Sequence, residues 1–346
     1  MKKINMFSSA DKIKGQGVGS ATKEQVELVK AGLQKEFSIT ELKSGKYDIN
    51  HYHTIDLAHY LHVLRHKKKS VNIGAVHFLP ETIEGSLKLP FGIKQIFYKY
   101  IISFYKEMDH LVTVNPYFKE ELVKHGINES KIHYVPNYVS KEDFYPMSKT
   151  AVDKAREKYE LNSDDFVVLG VGQVQRRKGV LDFIEVAKKN PDIQFLWAGG
   201  FSFGMITDGY EELKKVIDNP PQNVKFIGIV EREEMNEIYN IADVYFMPSY
   251  NELFPMAILE AMNCEKPILL RDLDIYTGIL DGYYIKGECV ESFSKQLNEL
   301  SDSYDAYNMA KRKSIAGSKY YSRDNVLKEW QSIYNNVYSK KFRTAA

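Results

Sequence analysis

Short apolar runs at residues 4–7, 71–76, 111–114 and 131–135 alternate with stretches whose apolar positions recur every three or four residues, at about 21–37, 53–66, 92–106 and 117–125. A run of that length bounded by polar residues or glycine predicts a strand buried on both faces, and the three-to-four period predicts an amphipathic helix. The alternation then restarts. Strand-like runs fall at 166–171, 194–198, 224–227, 243–247 and 267–270, with helical periods at 180–189, 210–217, 232–241, 256–262 and 292–300. Strands alternating with helices predict parallel sheets covered on both faces. Two rounds predict two doubly wound, Rossmann-like α/β domains facing across a cleft, with the ligand at the carboxyl ends of the strands. The expected domains are residues 1–148 and 149–321, divided in the polar stretch 145–150. In the last segment, 322–346, Trp330, Tyr334 and Tyr338 recur every four residues. That stripe predicts a terminal helix that packs back on the first domain or caps the second.

Composition narrows the class. A chain of 346 residues with 44% hydrophobic and 27% charged residues has the balance of an ordered soluble protein, and its length suits two cores. No apolar run is long enough to span a membrane, and the opening MKKINMF lacks the apolar core of a secretory leader. Cys264 and Cys289 have no metal-ligand spacing, and a reduced cytosolic setting is expected. Basic residues outnumber acidic ones in the first half and the reverse holds in the second. A basic first half suggests a surface that meets anions, with nucleic acid and anionic lipid both candidates. No nucleic-acid-binding module accompanies the charge, and none is expected as a partner.

Candidate chemistry concentrates in three blocks. Residues 247–262 read MPSYNELFPMAILEAM, with seven residues between Glu252 and Glu260. A strand enters this block and a helix leaves it at Pro255, a residue suited to a first helical position. The amides of Met256 and Ala257 then face outward at the positive end of the helix, where a diphosphate binds readily. Glu260, one turn deeper, can accept hydrogen bonds from a ribose, and Glu252 lies on the loop before the helix. An acidic loop followed by an ordinary amphipathic helix is the alternative. The second block, Gly170 to Gly179, places Arg176, Arg177 and Lys178 between glycines after a strand. A solvated charge run is the usual reading; at the carboxyl end of a strand, Lys178 and Arg177 can instead neutralise a leaving diphosphate. The third block is Gly15-Gln16-Gly17-Val18-Gly19-Ser20, after the first strand. Its spacing fails G-x-G-x-x-G and no ribose-binding acid follows, so nicotinamide-dependent oxidoreduction is poorly supported. His77 ends the strand 71–76, either as a satisfied structural histidine or facing a ligand. His59, His62 and His66 share a helix face, but Arg65 and Lys67 to Lys69 beside them argue against a metal. Asp272-Leu273-Asp274 reads as a turn.

Together these blocks resemble the retaining glycosyltransferases of family 4, which have the GT-B fold. The likeness runs through nearly the whole chain. It includes the glycine loop, His77, Pro136-Asn137-Tyr138-Val139, Arg177-Lys178-Gly179 and, most specifically, the paired glutamates. The resemblance implies that Lys178 and Arg177 bind the donor diphosphate, Glu260 the ribose and Glu252 the transferred sugar. It further implies that His77 sits near the sugar's reacting end, that Gly17 and Gly19 border the diphosphate, and that the backbone at Ile229 and Val230 meets the base. No obligatory cofactor or metal is implied beyond the UDP-sugar donor. Gln173, Pro255 and Tyr138 depart from the family's pattern, at positions where it often has an arginine, a glycine and a glycine.

Residues 88–106, KLPFGIKQIFYKYIISFYK, carry four lysines and no acid among dense apolar and aromatic residues. They form either a buried helix or an interfacial one resting on anionic lipid. The chain is also similar to bacterial glycolipid synthases of the second step, which add a hexose from a UDP-sugar to α-monoglucosyl-diacylglycerol. That resemblance implies a lipid-linked acceptor and peripheral attachment to an anionic membrane at the cytoplasmic face. A soluble transferase for a polysaccharide or protein, or a non-catalytic sugar-nucleotide-binding protein, are the alternatives.

Overall fold

The computed structural model describes residues 1–9, 17–83, 91–201, 204, 207, 209–252, 254 and 256–342. Gly15, Gln16, Leu253, Pro255 and residues 88–90 of the basic aromatic stretch lie outside the described residues. The chain forms two compact units. One takes residues up to Tyr138 together with those from Tyr321 onward, and the other takes Val139–Tyr320.

The first unit runs β1 (Lys2–Phe7), α1 (Gly17–Leu33), β2 (Phe37–Glu41), β3 (Ile49–Tyr52), α2 (Leu57–His66), β4 (Val71–Val76), α3 (Pro80–Ile83), α4 (Phe91–Lys106), β5 (His110–Thr113), α5 (Tyr117–Lys124) and β6 (Ile132–Tyr134). All six strands are parallel, in the order β2-β1-β3-β4-β5-β6. The strand order reverses between β1 and β3, which makes their carboxyl ends, Phe7 and Tyr52, the topological switch point.

The second unit runs α6 (Lys149–Lys158), β7 (Val167–Val171), α7 (Val180–Lys189), β8 (Gln194–Ala198), α8 (Tyr210–Asp218), β9 (Val224–Gly228), α9 (Met235–Ile241), β10 (Val244–Met247), α10 (Met256–Asn263), β11 (Ile268–Arg271), β12 (Ile285–Gly287), α11 (Val290–Asp302) and α12 (Tyr304–Tyr320). Its sheet, again all parallel, has the order β12-β11-β10-β7-β8-β9, with its switch point between β7 and β10. Val168, Leu169, Val244 and Phe246 are fully buried, as expected for strands covered on both faces.

The last helix, α13 (Arg323–Phe342), belongs to the first unit. Val326, Trp330, Ile333, Tyr334 and Val337 bury one face of it in a core shared with Ile4, Val29, Leu33, Phe37, Ile49 and Ile73. The aromatic stripe thus has apolar partners along four turns, and Tyr334 gains a hydrogen bond with Nδ1 of His51 (3.0 Å).

Several expectations are corrected. Strands β2, β3 and β12 and helices α6 and α12 have no counterpart in the apolar pattern. The helix expected to start at 21 starts at Gly17 and stops at Leu33, so Gly17 and Gly19 lie in its first turn rather than in a loop. The helix expected over 53–66 starts at Leu57, because β3 runs to Tyr52 and residues 53–56 carry the chain from the strand to the helix. In α4 the burial is divided. Ile101, Phe104 and Tyr105 are buried in its second half, whereas Ile93 and Ile96 in its first half are exposed.

Candidate active site

In the second unit the loops leaving β7, β8 and β9 are tied together. Gly172 N–H donates to the Ala198 carbonyl (2.9 Å), Val174 to Gly200 (2.9 Å) and Gly199 to Gly228 (2.7 Å). The chain after β7 then makes a 3₁₀ turn over Arg176–Lys178 and enters α7 through Gly179, whose φ is +71°. A Cβ at Gly179 would lie 2.2 Å from the Pro248 carbonyl oxygen, so the start of α7 approaches the end of β10 as only glycine permits. This close approach brings the cationic turn against the loop that carries Glu252.

Lys178 and Glu252 are buried, at 9% and 4% exposure, and lie 74 residues apart in sequence. Lys178 Nζ donates to Glu252 Oε1 at 2.5 Å, and Ser249 Oγ donates to the same oxygen at 2.7 Å. Arg177 Nη1 stands 4.0 Å from Oε2, donates to the Asn251 carbonyl (3.3 Å) and is steadied through Nε by Gln175 Oε1 (2.8 Å). Gln175 in turn donates to Gln173 Oε1 (2.8 Å), the side chain standing where an arginine was expected. Burial alone would raise the Glu252 carboxyl, but Lys178, Arg177 and Ser249 hold it below its ordinary range. Burial pulls the Lys178 ammonium down, and Glu252 offsets part of that pull. The two groups form a desolvated ion pair with a third cation at its edge.

Glu260 lies one turn into α10, 6% exposed, with both oxygens engaged. Tyr239 Oη donates to Oε2 (2.6 Å) and Arg232 Nη1 to Oε1 (3.0 Å). Arg232 also stacks over the Phe144 ring at 5.1 Å. Neither Tyr239 nor Arg232 was singled out from sequence; the signal was the pairing of an Arg and a Tyr seven residues apart, across the short helix α9. Met256 opens α10 and is buried, and Ala257 follows half-buried. Helix geometry leaves the first-turn amides without intrahelical acceptors. Ile229 is 62% exposed just past β9, with Val230 half-buried beside it. The second unit therefore brings Arg177, Lys178, Glu252, Glu260, Met256, Ala257, Ile229 and Val230 to the carboxyl edge of one sheet.

His77, Gly17 and Gly19 lie in the first unit. His77 follows β4, 7% exposed, and its Nε2 has no hydrogen-bond partner among the described residues. Burial pushes its pKa down to about 4. Its ring stacks on that of His53 at 6.1 Å, and His53 in turn lies 4.3 Å from His51. His51, with its pKa pushed down to about 3 by burial and by His77, leaves Nε2 without a partner among the described residues, and His53 leaves both ring nitrogens so. A buried polar atom left in that state costs about 1–3 kcal/mol. The apolar pattern marks neither histidine, since His51 lies in a strand with polar residues and His53 falls at the first position of the helix expected over 53–66. His59 donates to or accepts from Thr54 and pairs with Asp56, and His62 and His66 stack at 3.9 Å. Among the described residues no three His, Cys, Asp or Glu side chains converge as metal ligands. Asp272 is engaged by Tyr284 and Lys286.

The family described as "Glycosyl transferases group 1" matches residues 151–316, and "Glycosyltransferase Family 4" matches residues 34–143. The alpha-galactosylglucosyldiacylglycerol synthase of Streptococcus pneumoniae is 46% identical over 332 residues, covering 96% of this chain and 89% of that protein. The processive diacylglycerol alpha-glucosyltransferase of Acholeplasma laidlawii is 28% identical over 87% of this chain and 88% of its own length. Among solved structures, Anabaena Alr3699/HepE in complex with UDP-glucose superposes with a TM-score of 0.78 at 13% identity, covering 97% of this chain and 100% of that one. At that identity the last likeness speaks for the fold alone. Its two parallel six-stranded sheets, the matching families and the 46% relative place this chain in glycosyltransferase family 4, with the GT-B fold.

Proposed function

We propose that this glycosyltransferase moves a hexose from a UDP-sugar onto α-monoglucosyl-diacylglycerol, with retention at the anomeric carbon, and so forms a diglycosyl-diacylglycerol. The observation that carries the reading is the buried Lys178–Glu252 pair beside the start of α10. A cation held dry next to outward-facing helix amides suits a diphosphate, whose charge grows as it leaves. In this reading Lys178 exchanges Glu252 for the diphosphate, Arg177 supports it, and the amides of Met256 and Ala257 cap it. Glu252, released from the lysine, meets hydroxyls of the transferred sugar. Glu260 holds the ribose, the backbone at Ile229 and Val230 meets the uracil, and His77 meets the sugar near its reacting carbon. Gly17 and Gly19, in the first turn of α1, border the diphosphate.

The reaction needs one bond broken and one made. The anomeric carbon's bond to the diphosphate oxygen lengthens through an oxocarbenium-like state. The acceptor hydroxyl adds to the face the diphosphate leaves, and its proton passes to the departing oxygen. The protein contributes position and charge stabilisation. No metal is called for in this scheme.

The lipid acceptor is supported by the name of the 46% relative and by an apolar surface on the first unit. Leu57, Leu61 and Leu64 of α2 are 64%, 59% and 47% exposed, spaced as one helix face. Tyr60 joins α2 to α4 through Ser103 Oγ (2.8 Å) and the Tyr100 ring, and α4 adds exposed Ile93 and Ile96. Arg65, Lys68, Lys69 and Lys99 are exposed on the same two helices and the turn after α2. Apolar side chains rimmed by cations suit the interface of an anionic bilayer. Leu61→Asp combined with Ile96→Asp is expected to cut flotation with liposomes rich in phosphatidylglycerol at least tenfold. Turnover of a short-chain, micellar acceptor should hold within twofold; equal flotation of variant and wild type would remove the membrane assignment.

Mass spectrometry of products from a matrix of UDP-sugars and acceptors tests the whole reading. UDP-galactose or UDP-glucose should extend glucosyl-diacylglycerol by one hexose. Transfer to a soluble saccharide with the glucolipid untouched would favour the polysaccharide alternative instead.

A further inference from the structure

In the second unit, the loop that carries Glu252 is gripped from a side that the transfer scheme leaves unused. Arg271 ends β11 with its side chain 12% exposed and all three guanidinium nitrogens engaged. Nε donates to the Pro248 carbonyl (3.1 Å), Nη1 to the Glu288 carbonyl (2.6 Å), and Nη2 to Oδ2 of Asp182 in the first turn of α7. The guanidinium also lies over the Tyr250 ring, 4.1 Å from its centroid, and 5.3 Å from that of Phe293. Tyr250 closes the arrangement. Its hydroxyl donates to the same Asp182 oxygen at 2.7 Å, and its N–H donates to the Arg177 carbonyl at 2.8 Å.

A guanidinium held at every nitrogen is fixed in both position and direction, as an ammonium on a flexible stem is not. Apart from the anchor on Glu288, its ties and those of Tyr250 end on two segments. One is residues 248–250, whose Ser249 donates to Glu252, and the other is residues 177–182, which hold Lys178. The Pro248 carbonyl that Arg271 grips is also the one that Gly179 approaches. The separation of these segments therefore sets where the Glu252 carboxylate stands. In the transfer scheme that carboxylate gives up Lys178 and turns to the sugar, where a misplacement of about 1 Å can cost 10²-fold in rate. We propose that Arg271 and Tyr250 are positioning residues for Glu252: with Asp182 they clamp its loop to the start of α7, so that the carboxylate stays on the transferred sugar once Lys178 has left it. This rests on the transfer reaction proposed above.

The test compares wild type with Tyr250→Phe, Arg271→Lys, Arg271→Met, Glu252→Gln and the Tyr250→Phe/Glu252→Gln double variant. Tyr250 is 56% exposed, and Tyr250→Phe keeps its ring and N–H. Its melting temperature should stay within about 2 °C of wild type. The expected result is a kcat lowered at least fivefold by Tyr250→Phe and at least tenfold by Arg271→Met, with Arg271→Lys in between. The UDP Kd, by calorimetry, should stay within twofold of wild type in all three. In the Glu252→Gln background, Tyr250→Phe should lower the residual turnover less than twofold, because the group it positions is gone. An equal loss in both backgrounds would mark a packing role and overturn the proposal. So would a loss under fivefold in Tyr250→Phe, or UDP affinity falling as far as kcat. These comparisons decide the question even where Arg271→Met does not fold. A second readout needs no turnover: hydrogen exchange at the backbone amide of residue 250, expected at least fivefold faster in Tyr250→Phe. Unchanged exchange would overturn the clamp. Wild type that turns over no UDP-hexose, with exchange still faster in Tyr250→Phe, would refute the proposed reaction and leave the clamp standing.

Discussion

Glu252→Gln is expected to lower turnover about 10²-fold while UDP binds at least as tightly as it does to wild type. The two effects have one origin. Lys178 is engaged at 2.5 Å by Glu252, so the diphosphate competes with a carboxylate for its cation. The glutamine frees the lysine and helps the nucleotide, but removes the carboxylate that meets the sugar. Lys178→Met reverses the pattern. It weakens UDP about 10- to 100-fold, the range of a charge-assisted hydrogen bond, and lowers turnover as well. It also strands Glu252, 4% exposed, with Ser249 and an Arg177 at 4.0 Å as its remaining support. Breaking a buried pair on one side costs about 3–5 kcal/mol, whereas replacing both partners is often nearly neutral. The Lys178→Met/Glu252→Gln double variant is therefore expected to regain most of the melting temperature lost by Lys178→Met, and none of the activity. Calorimetric Kd, kcat and thermal melts on the three variants check this. Weaker UDP binding by Glu252→Gln would contradict the exchange.

Gly179→Ala is expected to destabilise the second unit by about 3 kcal/mol or more, an upper-range effect for a single methyl group. The cost has two parts. The residue is at φ +71°, where an L side chain is strained, and the new methyl would lie 2.2 Å from the Pro248 oxygen and 2.7 Å from its carbonyl carbon. Both contacts are backbone, so α7 and the end of β10 would have to part, and with them Lys178 and Glu252. Gly228→Ala is the control. Its φ is +75°, but a Cβ there meets nothing within 4 Å, so only the conformational part, about 1 kcal/mol, is paid. At about 2–4 °C per kcal/mol for a unit of this size, the melting temperature should fall roughly 6–12 °C for Gly179→Ala and 2–4 °C for Gly228→Ala. Equal shifts would show that the contact with Pro248 does not govern the loop.

The same packing explains what was legible in the sequence. Strands such as β7 and β10 are buried on both faces and apolar throughout, and they stand out as runs. Strand β3 is equally buried but carries Asn50 and His51, which find partners in Asn72 (3.2 Å) and Tyr334. An apolar count therefore misses it and hands His53 to a helix. Helix α12 escapes for a related reason. It faces its neighbours with Ala310, Ser314, Gly317 and Ser318, and Gly317 lets it approach Met262 so closely that a Cβ would lie 2.7 Å from the sulfur. Small residues give no hydrophobic period. Helix α6 hides behind a buried Arg156, which donates to the carbonyls of Ile241, Ser163 and Asp165 and pairs with Asp243.

Within the site, residues on the loops after strands were legible because charge and glycine are rare together at such places. Lys178 and Glu252 belong to that group, and Glu260, inside α10, stands out by its spacing from Glu252. Their partners were not, because pairing across 74 residues, as between Lys178 and Glu252, follows from sheet order rather than spacing. Tyr239 and Arg232 belong to this second group, as do His51 and His53 of the first sheet, whereas His77 stands out by its place at the end of a strand.

A crystal structure with UDP bound tests the central claim most directly. The account predicts the diphosphate within hydrogen-bond distance of the Met256 and Ala257 amides, with Lys178 Nζ moved from Glu252 onto a phosphate oxygen. A diphosphate bound elsewhere, or a lysine still paired with Glu252 while UDP is in place, would contradict it.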